Sequence, residues 1–119
     1  MTFDARKFFN SFSYAFNGLR MVFQSQQNIR IHLLVACVVL IAGFFAGLTA
    51  VEWCIIVILI FLVFAMEAMN TAIEKLVDFV SPEFHRQAGA VKDISAAAVL
   101  LTAVGAIIAG LIIFLPRIL

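Results

Sequence analysis

The stretch LLVACVVLIAGFFAGLTAV, residues 33–51, has no charged residue in 19 positions and decides the class of fold. A transmembrane helix needs about 20 predominantly apolar residues to cross a hydrocarbon core about 30 Å thick. Two further uncharged stretches follow, over 53–66 and 94–116. Of the 119 residues, 65% are hydrophobic and 13% are charged, whereas a soluble domain is typically about 25% charged. The sequence therefore predicts an all-α membrane protein with transmembrane helices over 31–50, 51–80 and 90–116.

The basic residues are distributed unevenly around these three spans. The chain holds eight of them, Arg6, Lys7, Arg20, Arg30, Lys75, Arg86, Lys92 and Arg117. Seven lie on the side that holds the N-terminus and the connection 81–89, so the positive-inside rule places both in the cytoplasm and the C-terminus outside. No basic residue lies between Arg30 and Lys75, which argues against a nucleic-acid partner. At this length we expect a single domain over 1–119.

Residues 3–28 differ from the spans because apolar side chains recur there every three or four positions. The apolar series is Phe8, Phe12, Phe16, Leu19 and Phe23. Polar residues occupy the opposite surface, and Asp4 is a suitable N-cap. This pattern predicts an amphipathic helix that lies in the inner membrane interface. His32, at the start of the first span, is interpreted as an interfacial anchor rather than a ligand.

Four polar residues on the second span call for an explanation. They are Glu67, Asn70, Glu74 and Asp78. At about 100° per residue these side chains share one face of a helix. Counting about 20 residues from Val51 puts the inner boundary near Thr71, with Glu67 about a turn inside the hydrocarbon and Glu74 about a turn outside it. A charged side chain at depth costs about 2.5–3.5 kcal/mol, so such residues are functional candidates.

Structural interpretations of these side chains remain open. Glu67 and Asn70 could join helices by hydrogen bonds, as in a non-enzymatic oligomeric bundle, and Glu74 could cap or pair at the headgroup level. The carboxylates nevertheless accumulate beside a polar connection, which with the following turn carries Glu83, His85, Arg86, Lys92 and Asp93. Carboxylates that face cations suit a magnesium–phosphate ligand. The chain has no P-loop and no kinase glycine-rich loop, so phosphate chemistry here would use neither.

Residues 67–78, EAMNTAIEKLVD, carry the pattern E-x-x-N-x-A-I-E-x-x-x-D, and K-D-x-x-A-A-A-V-L follows at 92–100. With EFH at 83–85 and YAFNGLR at 14–20, these motifs closely resemble the prokaryotic diacylglycerol kinase family, which includes undecaprenol kinases. The resemblance covers essentially the whole chain. It implies a three-span homotrimer with shared active sites in the bacterial plasma membrane, which phosphorylates a membrane lipid hydroxyl with Mg²⁺ and ATP.

The resemblance also implies roles for individual residues. Glu67 would be the general base, Glu74 would bind the divalent metal, and Asn70 and Asp78 would support the site. The nucleotide would be bound by Lys7, Tyr14, Glu74, Glu83, Phe84, His85, Lys92 and Asp93. Many members have a metal-binding glutamate where this chain has Gln26, whose amide oxygen can ligate magnesium but brings no negative charge.

The lipid acceptor is not encoded in these motifs. The segment NIRIHL at 28–33 resembles the Gram-positive-type branch of the family, whose members favour undecaprenol. We therefore expect phosphorylation of undecaprenol to undecaprenyl phosphate, with phosphorylation of diacylglycerol to phosphatidic acid as the alternative.

Overall fold

A computed structural model describes residues 2–119, which form four helices. Helix α1 spans Ala5–Ser25, α2 spans Gln27–Ala46, α3 spans Ala50–Val80 and α4 spans Arg86–Ile118. No strand is present in this part of the chain, and α2, α3 and α4 are each long and apolar enough to cross a membrane. The prediction of an all-α protein with three candidate spans is confirmed. Met1, the first residue of the predicted domain 1–119, lies outside the described residues.

A single extended residue separates α1 from α2. The Asp4 carboxylate accepts hydrogen bonds from the backbone N–H groups of Arg6 and Lys7 at 3.0 and 3.3 Å, and so caps α1 as the sequence indicated. Gln26 then adopts φ −122° and ψ 119° and ends the helix. The Arg30 side chain donates hydrogen bonds to two carbonyl groups of the last turn of α1, which satisfies acceptors that a helix end leaves unpaired.

This break changes two predicted boundaries. The surface helix was expected over 3–28 and the first span over 31–50, whereas α1 ends at Ser25 and α2 occupies 27–46. Residues 27–28 were assigned to the end of the surface helix, and 29–30 were left between it and the first span, because three of these four residues are polar. In the structure they form the first turn of α2, since one extended residue is enough to redirect the chain.

The turn between α2 and α3 is short because both helix ends are capped locally. Gly47 has φ 67° and ψ 53°, a left-handed conformation that ends α2 and that glycine adopts without steric cost. The Thr49 hydroxyl accepts the Glu52 backbone N–H at 3.2 Å, and the Glu52 carboxylate accepts the Thr49 N–H at 3.0 Å. This capping box starts α3.

The connection between α3 and α4 is shorter than the predicted 81–89. The His85 ring Nδ1 accepts the backbone N–H of Gln87 at 3.1 Å, and α4 begins at Arg86. Histidine therefore acts here as the N-cap, a position at which Ser, Thr, Asp and Asn are the usual signals. Residues 86–89 are helical as a result, and α4 extends to Ile118 rather than ending at 116.

The helices bury few side chains against one another. The buried apolar residues of the described chain are Val22, Ile29, Ala36, Ile56, Val63 and Ile113. Helices α3 and α4 pack along their lengths, α2 packs on α3, and the Phe23 ring of α1 lies 6.3 Å from that of Phe64 on α3. Most large apolar side chains are exposed, so lipid or other copies of the chain must cover them.

The end of the bundle opposite the polar connection is held by one ion pair. The Arg117 guanidinium donates to both Glu52 carboxylate oxygens, at 2.5 and 2.8 Å. This contact joins the start of α3 to the end of α4. Closer to the middle of the bundle, α2, α3 and α4 leave an apolar groove of about 450 Å³ between them.

Candidate active site

Glu67 lies on α3 and is one of the most deeply buried side chains in the described part of the chain, with 2% of its surface exposed. Its Oε1 lies 3.0 Å from Nε2 of His32 on α2. An ionised carboxylate only accepts hydrogen bonds, so His32 donates its Nε2–H when Glu67 is charged. This contact supplies the polar partner that a buried carboxylate requires.

A second polar cluster is centred on Glu74, two helical turns further along α3. Ser95 on α4 donates its hydroxyl to Asn70 Oδ1 at 2.7 Å, and Asn70 Nδ2 donates to Glu74 Oε1 at 3.2 Å. Gln26 Nε2 donates to Glu74 Oε2 at 3.4 Å. Three predicted site residues therefore lie together: Asn70 and Glu74, one turn apart on α3, and Gln26 from the junction of α1 and α2.

Asp78 and Lys92 form an ion pair one turn beyond this cluster. The Lys92 Nζ lies 2.5 Å from Asp78 Oδ1, and both side chains are open to solvent. The pair joins the last turns of α3 to the first turns of α4. A lysine held here adds positive charge beside the Glu74 cluster.

The other predicted nucleotide residues are not gathered into the cluster. Lys7 and Tyr14 project from α1, Glu83 and Phe84 lie in the connection between α3 and α4, and His85 caps α4. Phe84 is 95% exposed and Tyr14 is 73% exposed. Within residues 2–119 these side chains, and that of the exposed Asp93, form no hydrogen bond or ion pair with Glu74 or Lys92.

Two residues of these clusters were missed or misread from the sequence. His32 was interpreted as an interfacial anchor, but its ring contacts Glu67 across 35 positions of sequence. Ser95 was noticed only as part of a motif, yet it is buried and holds Asn70. A usable signal existed for His32, because His32 and Glu67 both lie toward the end of their spans that the basic residues mark.

The two carboxylates sit in different surroundings. A rise of about 1.5 Å per residue separates Glu67 from Glu74 by about 10 Å along α3. The groove between α2, α3 and α4 is lined by apolar residues and, among its described lining residues, by one polar side chain, His32. The Glu67 carboxylate is therefore linked to an apolar groove through its partner His32, whereas Glu74 lies at a polar helix end. This arrangement suits an apolar alcohol and a charged co-substrate.

Comparison with known proteins gives the class of the chain. Residues 13–114 match the family described as prokaryotic diacylglycerol kinase. The chain is 42% identical over 114 residues to an undecaprenol kinase of Bacillus subtilis, an alignment that covers 96% of this chain and 93% of that protein. It is 37% identical over 110 residues to a diacylglycerol kinase of Synechocystis, covering 92% of this chain and 63% of that protein. A diacylglycerol kinase of Haemophilus influenzae is 33% identical over 107 residues, covering 88% of this chain and 91% of that protein.

These matches define a lipid kinase, an enzyme that uses ATP as its co-substrate and a lipid as its acceptor. The chain belongs to the prokaryotic diacylglycerol kinase family. The predictions of the family and of a lipid kinase are confirmed. The polar residues on one face of α3 had left a non-enzymatic bundle open as an alternative. Membership of a kinase family does not support that alternative.

Proposed function

We propose that the chain transfers the γ-phosphoryl group of ATP to the hydroxyl of undecaprenol at the cytoplasmic boundary of the bacterial plasma membrane. The observation that carries this proposal is the arrangement on α3, where the buried Glu67 lies two turns before the Glu74 cluster. Undecaprenol is favoured because the 42% identical relative is an undecaprenol kinase. Diacylglycerol is the second candidate because relatives at 37% and 33% identity are diacylglycerol kinases.

The length of α3 supports a placement of the two carboxylates at different depths. The helix has 31 residues, or about 46 Å, which exceeds the hydrocarbon thickness of about 30 Å. With the Thr49 cap at the outer surface, about 20 residues bring the helix to the inner boundary near Thr71. Glu67 then lies within the hydrocarbon, and Glu74 and Asp78 lie at the water edge.

In the proposed reaction Glu67 is the general base. It takes the proton of the lipid hydroxyl, and the electron pair of that O–H bond remains on the lipid oxygen. This oxygen forms a bond to the γ-phosphorus while the bond from phosphorus to the bridging oxygen breaks and leaves its electron pair on ADP. A base within the hydrocarbon reaches an alcohol whose chain stays in the bilayer, and proton transfer by a positioned base contributes about 10²–10⁴-fold to rate.

The residues around Glu74 fit a magnesium ion that arrives with ATP. Protein sites for Mg²⁺ commonly use one or two carboxylates together with the phosphates of the substrate. Glu74 supplies one carboxylate, and Gln26 can turn its amide so that the oxygen faces the cation. Within residues 2–119 there is no group of three or more acidic, histidine or cysteine side chains placed to hold a metal alone. When bound, the ion would neutralise phosphate charge.

The remaining polar residues of the inner end are proposed to bind the nucleotide. Lys92 would attract the phosphates, and Asp78 would hold its ammonium group in place through their contact. Lys7, Tyr14, Glu83, Phe84, His85 and Asp93 are exposed and free to meet the nucleotide. Exposed side chains from α1 and the α3–α4 connection suit a ligand that arrives from the cytoplasm.

We also propose that α1 lies in the inner interface and that three copies of the chain share their active sites. The exposed rings of α1, among them Phe8, Phe12 and Phe16, support the first point because a lipid interface would cover them. The sharing of active sites is supported by the small number of buried apolar residues and by the open groove between α2, α3 and α4. The side chains of one copy do not enclose the site, so a neighbour must supply the missing wall.

Mixed oligomers provide the test of shared sites. A Glu67→Gln subunit and a Tyr14→Ala subunit should each form inactive trimers, whereas equal mixing should restore activity at about a quarter of the sites. This fraction is expected when a site takes Glu67 from one copy and Tyr14 from its neighbour. The measurement is lipid phosphorylation by co-expressed, doubly tagged trimers. Trimers that form but stay inactive at every mixing ratio would show that each site lies within one copy.

The position of Gln26 gives a prediction about magnesium. Gln26→Glu should lower the magnesium concentration for half-maximal rate by about three- to tenfold, because it adds a negative charge beside Glu74. Gln24→Glu is the matched control, since it adds the same charge at an exposed position two residues earlier. The measurement is a magnesium titration at saturating ATP and lipid. An unchanged midpoint in the Gln26 variant would remove this residue from the metal site.

A comparison of acceptors tests the proposed function itself. The purified protein in mixed micelles is given Mg-ATP labelled in its γ-phosphate, with undecaprenol, with diacylglycerol or with neither. We expect label to enter the lipid fraction only when an acceptor is present, and faster with undecaprenol. Faster labelling of diacylglycerol would establish the second candidate, and failure to label either lipid would contradict the proposal.

A further inference from the structure

His32 is a polar residue for which the proposed reaction has so far given no role. It lies on α2, its side chain is 24% exposed, and its Nε2 is 3.0 Å from Glu67 Oε1. Within residues 2–119 the Glu67 carboxylate makes one hydrogen bond, and His32 is its partner. Among the described residues that line the apolar groove, His32 has the one polar side chain.

A general base works only when one defined atom faces the proton it removes. A glutamate carboxylate has two equivalent oxygens, and its terminal torsion is broad, so an unrestrained Glu67 would present either oxygen at variable angles. The bond from His32 occupies Oε1. It leaves Oε2 as the free oxygen and restrains the rotation of the carboxylate.

We propose that His32 is a positioning residue for the base: its Nε2–H, donated to Glu67 Oε1, holds the carboxylate so that Oε2 meets the lipid hydroxyl. This inference rests on the proposed function, because it assumes that Glu67 is the base. The proposed base is then one member of a pair: His32 on α2 orients Glu67 on α3.

A purely structural role for the same contact has different consequences. If the bond only joined α2 to α3, its loss would lower the thermal stability of the protein and leave the rate constant of the folded fraction unchanged. If the bond orients the base, its loss lowers kcat while the KM values for ATP and lipid stay nearly constant. A misplacement of about 1 Å can cost about 10²-fold in rate.

Two substitutions of His32 separate these roles. His32→Leu keeps an apolar bulk but removes the donor, whereas His32→Gln offers an amide N–H at similar reach. We expect His32→Leu to lower kcat by about 10²-fold with each KM within about twofold of the original protein, and His32→Gln to recover most of that loss. An unchanged kcat in His32→Leu, or a His32→Gln variant as slow as His32→Leu, would overturn the proposal.

The same substitution in a Glu67→Gln background tests whether His32 acts through Glu67. We expect the double variant His32→Leu, Glu67→Gln to be no slower than Glu67→Gln alone, because the group that His32 orients has already been removed. Rate losses that multiply in the double variant would show that His32 acts elsewhere, and would contradict the inference.

The hydrogen bond on which the proposal stands can also be observed without turnover, so the contact itself is testable even if a His32 variant fails to fold. The chain has two histidines, and the exposed His85 at the α4 cap is an internal reference. In protein labelled with ¹⁵N-histidine, the ring signals of His32 should shift on Glu67→Gln while those of His85 stay in place. Unshifted His32 signals would contradict the contact. Failure of the proposed function shows up differently, as the absence of lipid phosphorylation by the original protein.

Discussion

Glu67→Gln is expected to lower the turnover of lipid by about 10²–10⁴-fold at every magnesium concentration. The substitution keeps the size of the side chain and an oxygen that can accept the His32 hydrogen bond, but glutamine cannot take a proton from an alcohol. Because the change removes the proposed base and leaves the proposed metal site in place, added magnesium should not restore the rate. The measurement is kcat for lipid phosphorylation across a magnesium titration.

The same helix offers a matched control for this variant. Glu52 lies at the opposite end of α3, where it pairs with Arg117. Glu52→Gln removes one carboxylate from the same helix and retains a side chain that can serve in the capping box. We expect its kcat to remain within about twofold of the original value. A Glu67→Gln protein that keeps the original kcat, with the fold intact, would remove Glu67 from the reaction.

Glu74→Gln should raise the magnesium concentration for half-maximal rate by at least about tenfold, the lower end of what changes around a metal site cost in affinity. The physical reason is that Glu74 is the carboxylate of its cluster, where Asn70 and Gln26 contribute amides. High magnesium should therefore restore part of the rate, in contrast to Glu67→Gln.

The contrast between the two glutamates is more informative than either loss alone. Both residues lie on one face of α3, and both substitutions exchange a carboxylate for an amide. If the two variants showed the same dependence on magnesium, the assignment of base and metal ligand to different residues would be wrong. If Glu74→Gln lost rate without any change in its magnesium midpoint, Glu74 would not bind the metal.

The sequence predicted the helices well because long apolar runs have few alternatives in a membrane. The second span was expected over 51–80 and α3 occupies Ala50–Val80, where the capping box at Thr49 and Glu52 gives a sharp start. The boundaries near Gln26 and His85 were predicted less well. Each depends on the conformation or hydrogen bond of one residue that lacks a strong signal for a helix end.

Among the site residues, those on one helix were predictable and those between helices were not. The shared face of Glu67, Asn70 and Glu74 follows from helical periodicity alone. The contact of His32 with Glu67 depends on how α2 packs against α3, which no pattern along the chain encodes. Gln26 is an intermediate case, because a family resemblance indicated the position and the structure shows its amide beside Glu74.

The central claim is that Glu67 serves the lipid hydroxyl whereas Glu74 serves the metal and nucleotide. The most direct test is to measure the binding of Mg-ATP separately from turnover, by calorimetric titration of the original protein and of the Glu67→Gln and Glu74→Gln variants. We expect Glu67→Gln to bind Mg-ATP with a Kd within about twofold of the original while its turnover is lost, and Glu74→Gln to bind at least about tenfold more weakly. Equal weakening of Mg-ATP binding in both variants, or weakening in Glu67→Gln alone, would contradict the claim.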